Sequence, residues 1–306
     1  MFLVVFSFSF FFTLLAGNFG VLNALVALPT PVFPAVILPG FGNDLIDYIN
    51  PLQFGEENGF VSALRRRNID AEVVPITRSD WLKLAGGIFK REFWSYDCKP
   101  DSLYGFYYEK VTSKVLEVHE RTGKPVMLIG HSAGGWLARG VLGEGKCWGE
   151  RIDLASSDVV IGLCTLGTPH THPVERSFDV TRGCLRYING MFPGSFLSKE
   201  NICYASVAGT AIEGDPTADW NSPPSLAHQS YKQVVGVSTD TQYIGDAVVP
   251  LVSAHLDGAL QITLDGVFHS ITAPELSWYG GERVIDMWLP QFIELCAKTY
   301  VDRRQI

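Results

Sequence analysis

The sequence predicts an α/β fold: about six mainly parallel strands, helices on both faces of the sheet, and an insertion over its carboxyl edge. Short apolar runs recur along the chain and are almost continuously apolar rather than alternating, as in strands covered on both faces. Stretches with helical spacing lie between them, and strands alternating with helices build right-handed crossovers onto a parallel sheet. The 306 residues are 47% hydrophobic and 18% charged, which suffices for one large core.

Taken in order, the chain divides at about residue 28. Residues 1–28 carry no charged side chain, and the first one in the sequence is Asp44. Such a leader reads as a signal peptide or as a membrane anchor of about 20 residues. It implies membrane association and an endomembrane or secreted location, whereas an artefactual start would leave a cytosolic or plastid protein. No Lys or Arg precedes the apolar run, and no Asn-x-Ser/Thr acceptor occurs. Residues 29–306 form the second domain. Its strands are read at PAVILPG (34–40), AEVVPI (71–76), PVMLIG (125–130), DVVIGLCTLG (158–167), CYASVAG (203–209) and ALQITL (259–264), so the sheet begins near residue 35. Helices are read at FVSALRRRN, from about 103 to 121, at AGGWLARGVLG, and in a C-terminal stretch interrupted by Pro290. Arg65, Arg66 and Arg67 read as the solvated last turn of the first of these. Residues 77–108, rich in aromatics, and 168–201 break the alternation. Both are expected to lie over the carboxyl edge, where such folds bind ligands, with about half of those aromatics in the core.

Composition excludes several functions. The formal charge of −8, with no long basic run, argues against a nucleic-acid partner. The six cysteines form no CxxC pair, and His170 and His172 have no nearby carboxylate cluster, so no metal is expected. LPGFGND could cradle a pyrophosphate, but the dinucleotide pattern needs a small residue where Leu45 stands, and no cofactor is expected.

Ser132 carries the chemistry. It stands in Gly130-His131-Ser132-Ala133-Gly134, between a strand and a helix, where a tight turn would lift its hydroxyl above the sheet. The competing reading is a helix N-cap serine, which has the same position. The motifs VILPGFGN, GHSAGG, TLGTPH, GDAVVPLVSA and DGVFHSI, in that order over residues 35–300, resemble α/β-hydrolases of the lipase and esterase type, in the GPI-inositol-deacylase-like branch.

In that fold the order is Ser, then Asp or Glu, then His. His255 and His269 both follow Asp246, and His269 stands on the loop after the strand ALQITL, the position the resemblance implies for the base. Asp246, between the last two strands, is the expected acid, with Asp240 and Asp265 as competitors. Members of the family commonly have Gly-Asp-Gly here, where this chain has Ala247. The backbone N–H groups of Ala133 and Phe41 are in position for an oxyanion hole. The resemblance implies a serine hydrolase of carboxylic esters with an apolar moiety, working through an acyl-enzyme on a small-molecule or lipid ester. A GPI-inositol-deacylase-like enzyme, a small aromatic (benzyl-type) ester hydrolase and a low-turnover ligand receptor are the alternatives.

Overall fold

Each apolar run forms a strand at nearly its expected place. In the computed structural model these are β1 (Ala35–Leu38), β2 (Ala71–Val73), β3 (Val126–His131), β4 (Val160–Leu166), β5 (Cys203–Thr210) and β6 (Leu260–Asp265). The structure describes residues 32–304 except 145, 148–149, 152–153, 155–157, 237–240 and 271–276. Residues 1–28 and Asp240 therefore lie outside the described residues. Among the described residues, no helix is long and apolar enough to cross a membrane.

The six strands form one sheet in the order β2-β1-β3-β4-β5-β6, and every neighbouring pair is parallel. β1, β3 and β4 are buried along their whole length, which explains their unbroken apolar character. β6 is an edge strand, with Ile262 and Leu264 buried and Gln261 and Thr263 exposed between them. Alternate residues of β1 enter two cores. Val36 and Leu38 pack under α2 (Pro100–Thr122) and α3 (Ala133–Glu144), with Tyr107, Val111 and Trp136. Ala35 and Ile37 pack on the other face under α1 (Phe60–Arg65) and α6 (Glu282–Arg303), with Phe60, Trp288 and Phe292.

Several expectations are corrected. α6 runs unbroken through Pro290, because Trp288, Leu289 and Phe292 on both sides of the proline are buried against the sheet and hold the helix together. Two α-helices of eight residues or more were not expected: α4 (Cys184–Met191), inside the second irregular segment, and α5 (Pro223–Val235). His228 is on α5. The arginines after α1 are not simply solvated. Arg66 and Arg67 pair with Glu282, the latter at 2.8 Å, and Arg67 also reaches Asp286 at 2.7 Å, so α1 is tied to the start of α6. The expectation that about half of the aromatics in 77–108 lie in the core holds, since four of the nine are buried, namely Trp81, Tyr104, Tyr107 and Tyr108.

The sheet order positions the site. From β1 the chain moves outward to β2, then returns to place β3 on the other side of β1, so the connections leaving β1 and β3 diverge. A crevice opens at their carboxyl ends, where open α/β sheets bind ligands.

Because Pro290 is exposed and removes one helix hydrogen bond, Pro290→Ala is expected to raise the unfolding free energy by about 1–3 kcal/mol. Urea denaturation with an unchanged slope checks it.

Candidate active site

Ser132 lies at the end of β3, in this crevice. Its φ of 53° is left-handed. An N-cap serine keeps an extended backbone, so this conformation excludes the capping reading. The turn is possible because two backbones meet with no side chain between them. A Cβ on Gly40 would lie 2.7 Å from the Ser132 Cβ, and one on Gly134 would lie 2.3 Å from the Leu38 carbonyl oxygen. The turn is pinned on both sides: the Ser132 N–H donates to Leu166 O at 2.9 Å, and the Thr168 hydroxyl donates to Ser132 O at 2.8 Å.

His269 and Asp246 meet beside it. The His269 Nδ1–H donates to Asp246 Oδ2 at 2.8 Å, which leaves Nε2 free to accept a proton. Asp246 is buried and fully engaged. Oδ2 also accepts from the Tyr279 hydroxyl at 2.8 Å, and Oδ1 accepts from the N–H groups of Val248 at 3.0 Å and Val249 at 2.7 Å. Burial and the neighbouring carboxylate push the Tyr279 phenol far above its ordinary range, so it remains a donor. Gly167 makes room for the pair, since a Cβ there would fall 2.5 Å from Asp246 Oδ2. Ala247 stands where the family commonly has glycine, and it keeps the glycine-like backbone with φ 83°.

His131 does more than pack beside Ser132. Its Nε2–H donates to the His269 carbonyl oxygen at 2.8 Å, and its Nδ1 accepts from the Tyr48 hydroxyl at 2.9 Å. The same Tyr48 oxygen accepts from Gly40 N–H at 3.0 Å and Asn43 Nδ2 at 2.9 Å. Burial, followed by the proximity of His269, pushes the His131 pKa down to about 3. The ring is therefore neutral and links the loop after β1 to His269. That loop has two more anchors: the Tyr107 hydroxyl donates to Pro39 O at 2.7 Å, and Trp81 Nε1 donates to Asn43 O at 2.8 Å. Among the described residues, no protein acceptor takes the N–H of Phe41 or of Ala133.

A cavity of about 640 Å³ opens here, lined by Phe41, His131, Ser132, Ala133 and His269 together with apolar side chains such as Leu84, Phe93 and Trp136. Both irregular segments contribute walls, through Leu84 to Tyr104 on one side and Pro169 to Arg182 on the other.

The remaining candidates lie elsewhere. His255 is held by Ser206 at 3.3 Å and Thr263 at 2.9 Å, and Asp265 accepts from Thr210 at 2.8 Å. His170 is buried against Thr165 at 3.0 Å and Arg139 at 3.4 Å, and burial and that arginine hold its pKa well below the ordinary value. His172 contacts Asn189 at 3.2 Å. Tyr48, Gly167 and Tyr279 were not singled out from the sequence. Gly167 lies in TLGTPH, one of the motifs that carries the resemblance, and this was the available signal.

A family model described as a PGAP1-like alpha/beta domain matches residues 102–301. The chain belongs to that family. No curated protein matches it. Similar solved structures include a mature-form lipase of Bacillus licheniformis, with 14% identity over 88% of this chain and 93% of that one and a TM-score of 0.49. Phospholipase PlaB of Legionella pneumophila is 12% identical over 80% of this chain and 53% of its own, with a TM-score of 0.47. Lipase B of Aspergillus fumigatus is 14% identical over 76% and 44%, with a TM-score of 0.40.

Two outcomes are expected. Ala247→Gly should stabilise the protein by about 0.5–1 kcal/mol by relieving the left-handed alanine, read as a rise in melting temperature. The folded-state pKa of His131 is depressed from 6.5 to about 3, so across that window the unfolded chain binds a proton that the folded chain refuses. Its stabilising contribution is complete above 6.5 and is lost as pH falls towards 3, by at most about 1.4 kcal/mol per pH unit. His131→Asn should flatten that part of the acid-side slope in urea titrations at about pH 5 and about pH 7.

Proposed function

We propose that the protein is a serine hydrolase of carboxylic esters that carry an apolar moiety. One observation carries the reading: the buried Asp246 fixes His269 Nδ1 at 2.8 Å on the wall of an apolar cavity that Ser132 also lines. In this mechanism Ser132 Oγ attacks the acyl carbon while His269 Nε2 takes its proton. Asp246 holds the imidazole tautomer and stabilises the cation that forms. The N–H groups of Phe41 and Ala133, which have no protein acceptor among the described residues, receive the oxyanion. His269 then protonates the leaving alcohol, and a water activated by the same ring releases the acid from the acyl-enzyme.

The cavity volume is in the range of small-molecule sites, and its apolar wall suits an acyl chain or an aromatic group. The family match supports a narrower second reading, an inositol-linked acyl ester as substrate. Residues 1–28 would then bring the domain to a membrane carrying such lipids, and fractionation of the full-length chain tests that placement. An ester panel varied in acyl length and alcohol, read as kcat/KM, separates the substrate classes.

Ser132→Ala should fold normally and lower kcat by about a thousandfold or more, to the residual rate that binding and the oxyanion donors support. His269→Ala should be nearly as severe and His255→Ala mild. Asp246→Asn should lower kcat with little change in KM. A Ser132→Ala variant that keeps more than about a tenth of the wild-type kcat would overturn the assignment.

A further inference from the structure

The cavity wall contains one charged group that the proposed chemistry does not use. Arg182 is the only Lys or Arg among the described residues that line it. Its guanidinium lies between two aromatic rings, 4.5 Å from the centroid of Phe93 and 4.7 Å from that of Tyr96. Among the described residues no carboxylate pairs with it, although carboxylates are close by. Asp97 is taken by Arg176 at 3.2 Å and Arg186 at 3.5 Å. Asp179 accepts from Thr181 N at 2.9 Å, Thr181 Oγ1 at 2.6 Å and Gly183 N at 2.9 Å.

The placement of this arginine is over-determined. Arg182 and Tyr96 both have left-handed backbones, with φ of 55° and 59°. Non-glycine residues hold that conformation only where their surroundings enforce it, and such strain gathers at ligand sites. The enforcement here is visible. Cys98 N–H donates to Arg182 O at 2.9 Å, and a Cβ on Gly183 would lie 2.3 Å from Tyr96 O, so the two segments are pressed together at this point. Aromatic stacking covers the faces of a guanidinium but leaves its donors, which lie in the plane, available for a bidentate oxyanion.

We propose that Arg182 forms a subsite for an anionic oxygen group, a phosphate or a carboxylate, borne by the apolar molecule that occupies the cavity. The inference rests on the cavity being the substrate site, and it adds a charge requirement to that reading. The chain has a net charge of −8, which does not draw anions in from a distance, so selection occurs on contact. If Arg182 only stapled the two segments together, its loss would weaken charged and neutral ligands alike.

Calorimetric titration of the full chain with decyl phosphate, decanoate and decanol, each below its micelle concentration, tests this without turnover. Wild-type protein should bind at least one anion about tenfold or more tightly than decanol, the lower end for a charge-assisted contact. The tighter of the two anions identifies the group. Arg182→Gln should bring the anion-to-decanol ratio close to one, and Arg182→Lys should retain part of it. Equal binding of all three by the wild type, or an unchanged ratio in Arg182→Gln, overturns the proposal. If Arg182→Gln does not fold, the wild type decides: added salt should narrow the ratio, and a ratio insensitive to salt overturns the subsite. An anion preference that depends on Arg182 in a protein that hydrolyses no ester would leave the subsite standing and remove the hydrolase reading.

Discussion

The site depends on the contact between the ends of β1 and β3. There the backbones at Gly40 and Gly134 approach Ser132 and Leu38 so closely that a single added methyl would overlap its neighbour. At that spacing the chain leaving β3 has to turn sharply, and Ser132 takes the left-handed conformation that exposes its hydroxyl. The same spacing brings the loop after β1 beside the hydroxyl. Candidate nucleophile and candidate oxyanion donors are thus consequences of one packing constraint, which the parallel pairing of Leu38 with Gly130 sets in register.

A neutral imidazole transmits this constraint to His269. His131 must accept at Nδ1 and donate at Nε2 to join Tyr48 to the His269 carbonyl, and a protonated ring could not accept. Burial keeps it unprotonated, and the sheet strand that carries it keeps it rigid. The Tyr48 oxygen then collects Gly40 N–H and Asn43 Nδ2 while donating to the ring. The Gly40 N–H is used up by Tyr48, and Phe41, the next residue, presents an N–H that no described protein group accepts.

Most of the fold could be read because its strands are buried on both faces, and a short, continuously apolar run bounded by glycine and proline suits a buried strand and little else. The elements that were missed have local causes. α5 is punctuated by Pro223 at its start and Gly236 after its end, but its mixed polar composition hides the pattern of apolar burial. Pro290 signals a break that buried Trp288 and Phe292 override. At the site, Ser132, Asp246 and His269 could be read from motif and order. Tyr279 and Tyr48 could not, because a buried tyrosine hydroxyl acquires its role only from what the fold brings within about 3 Å. Arg182 lies still further from sequence logic. It belongs to one irregular segment, the rings that hold it belong to another, and only their meeting over the sheet edge gives it a place.

Part of the backbone strain gathers at the same place. Of the ten left-handed residues other than glycine among those described, Ser132 and Ala247 flank the proposed chemistry and Tyr96 and Arg182 adjoin the cavity wall, while Leu52, Gln53, Asn68, Asp158, Asn201 and Asn221 do not line it. Each such conformation costs about 1–2 kcal/mol, so four of them represent a sizeable share of a typical domain's net stability. Two large cores on either face of the sheet can carry that load, and these four residues sit at its carboxyl edge, where the cores end. In Ser132 the strain follows directly from the strand crossing. In Arg182 it follows from the contact between two loops, where Cys98 N–H holds the Arg182 carbonyl oxygen at 2.9 Å and Gly183 meets Tyr96 O, and that contact sets the guanidinium against Phe93 and Tyr96 at the cavity wall.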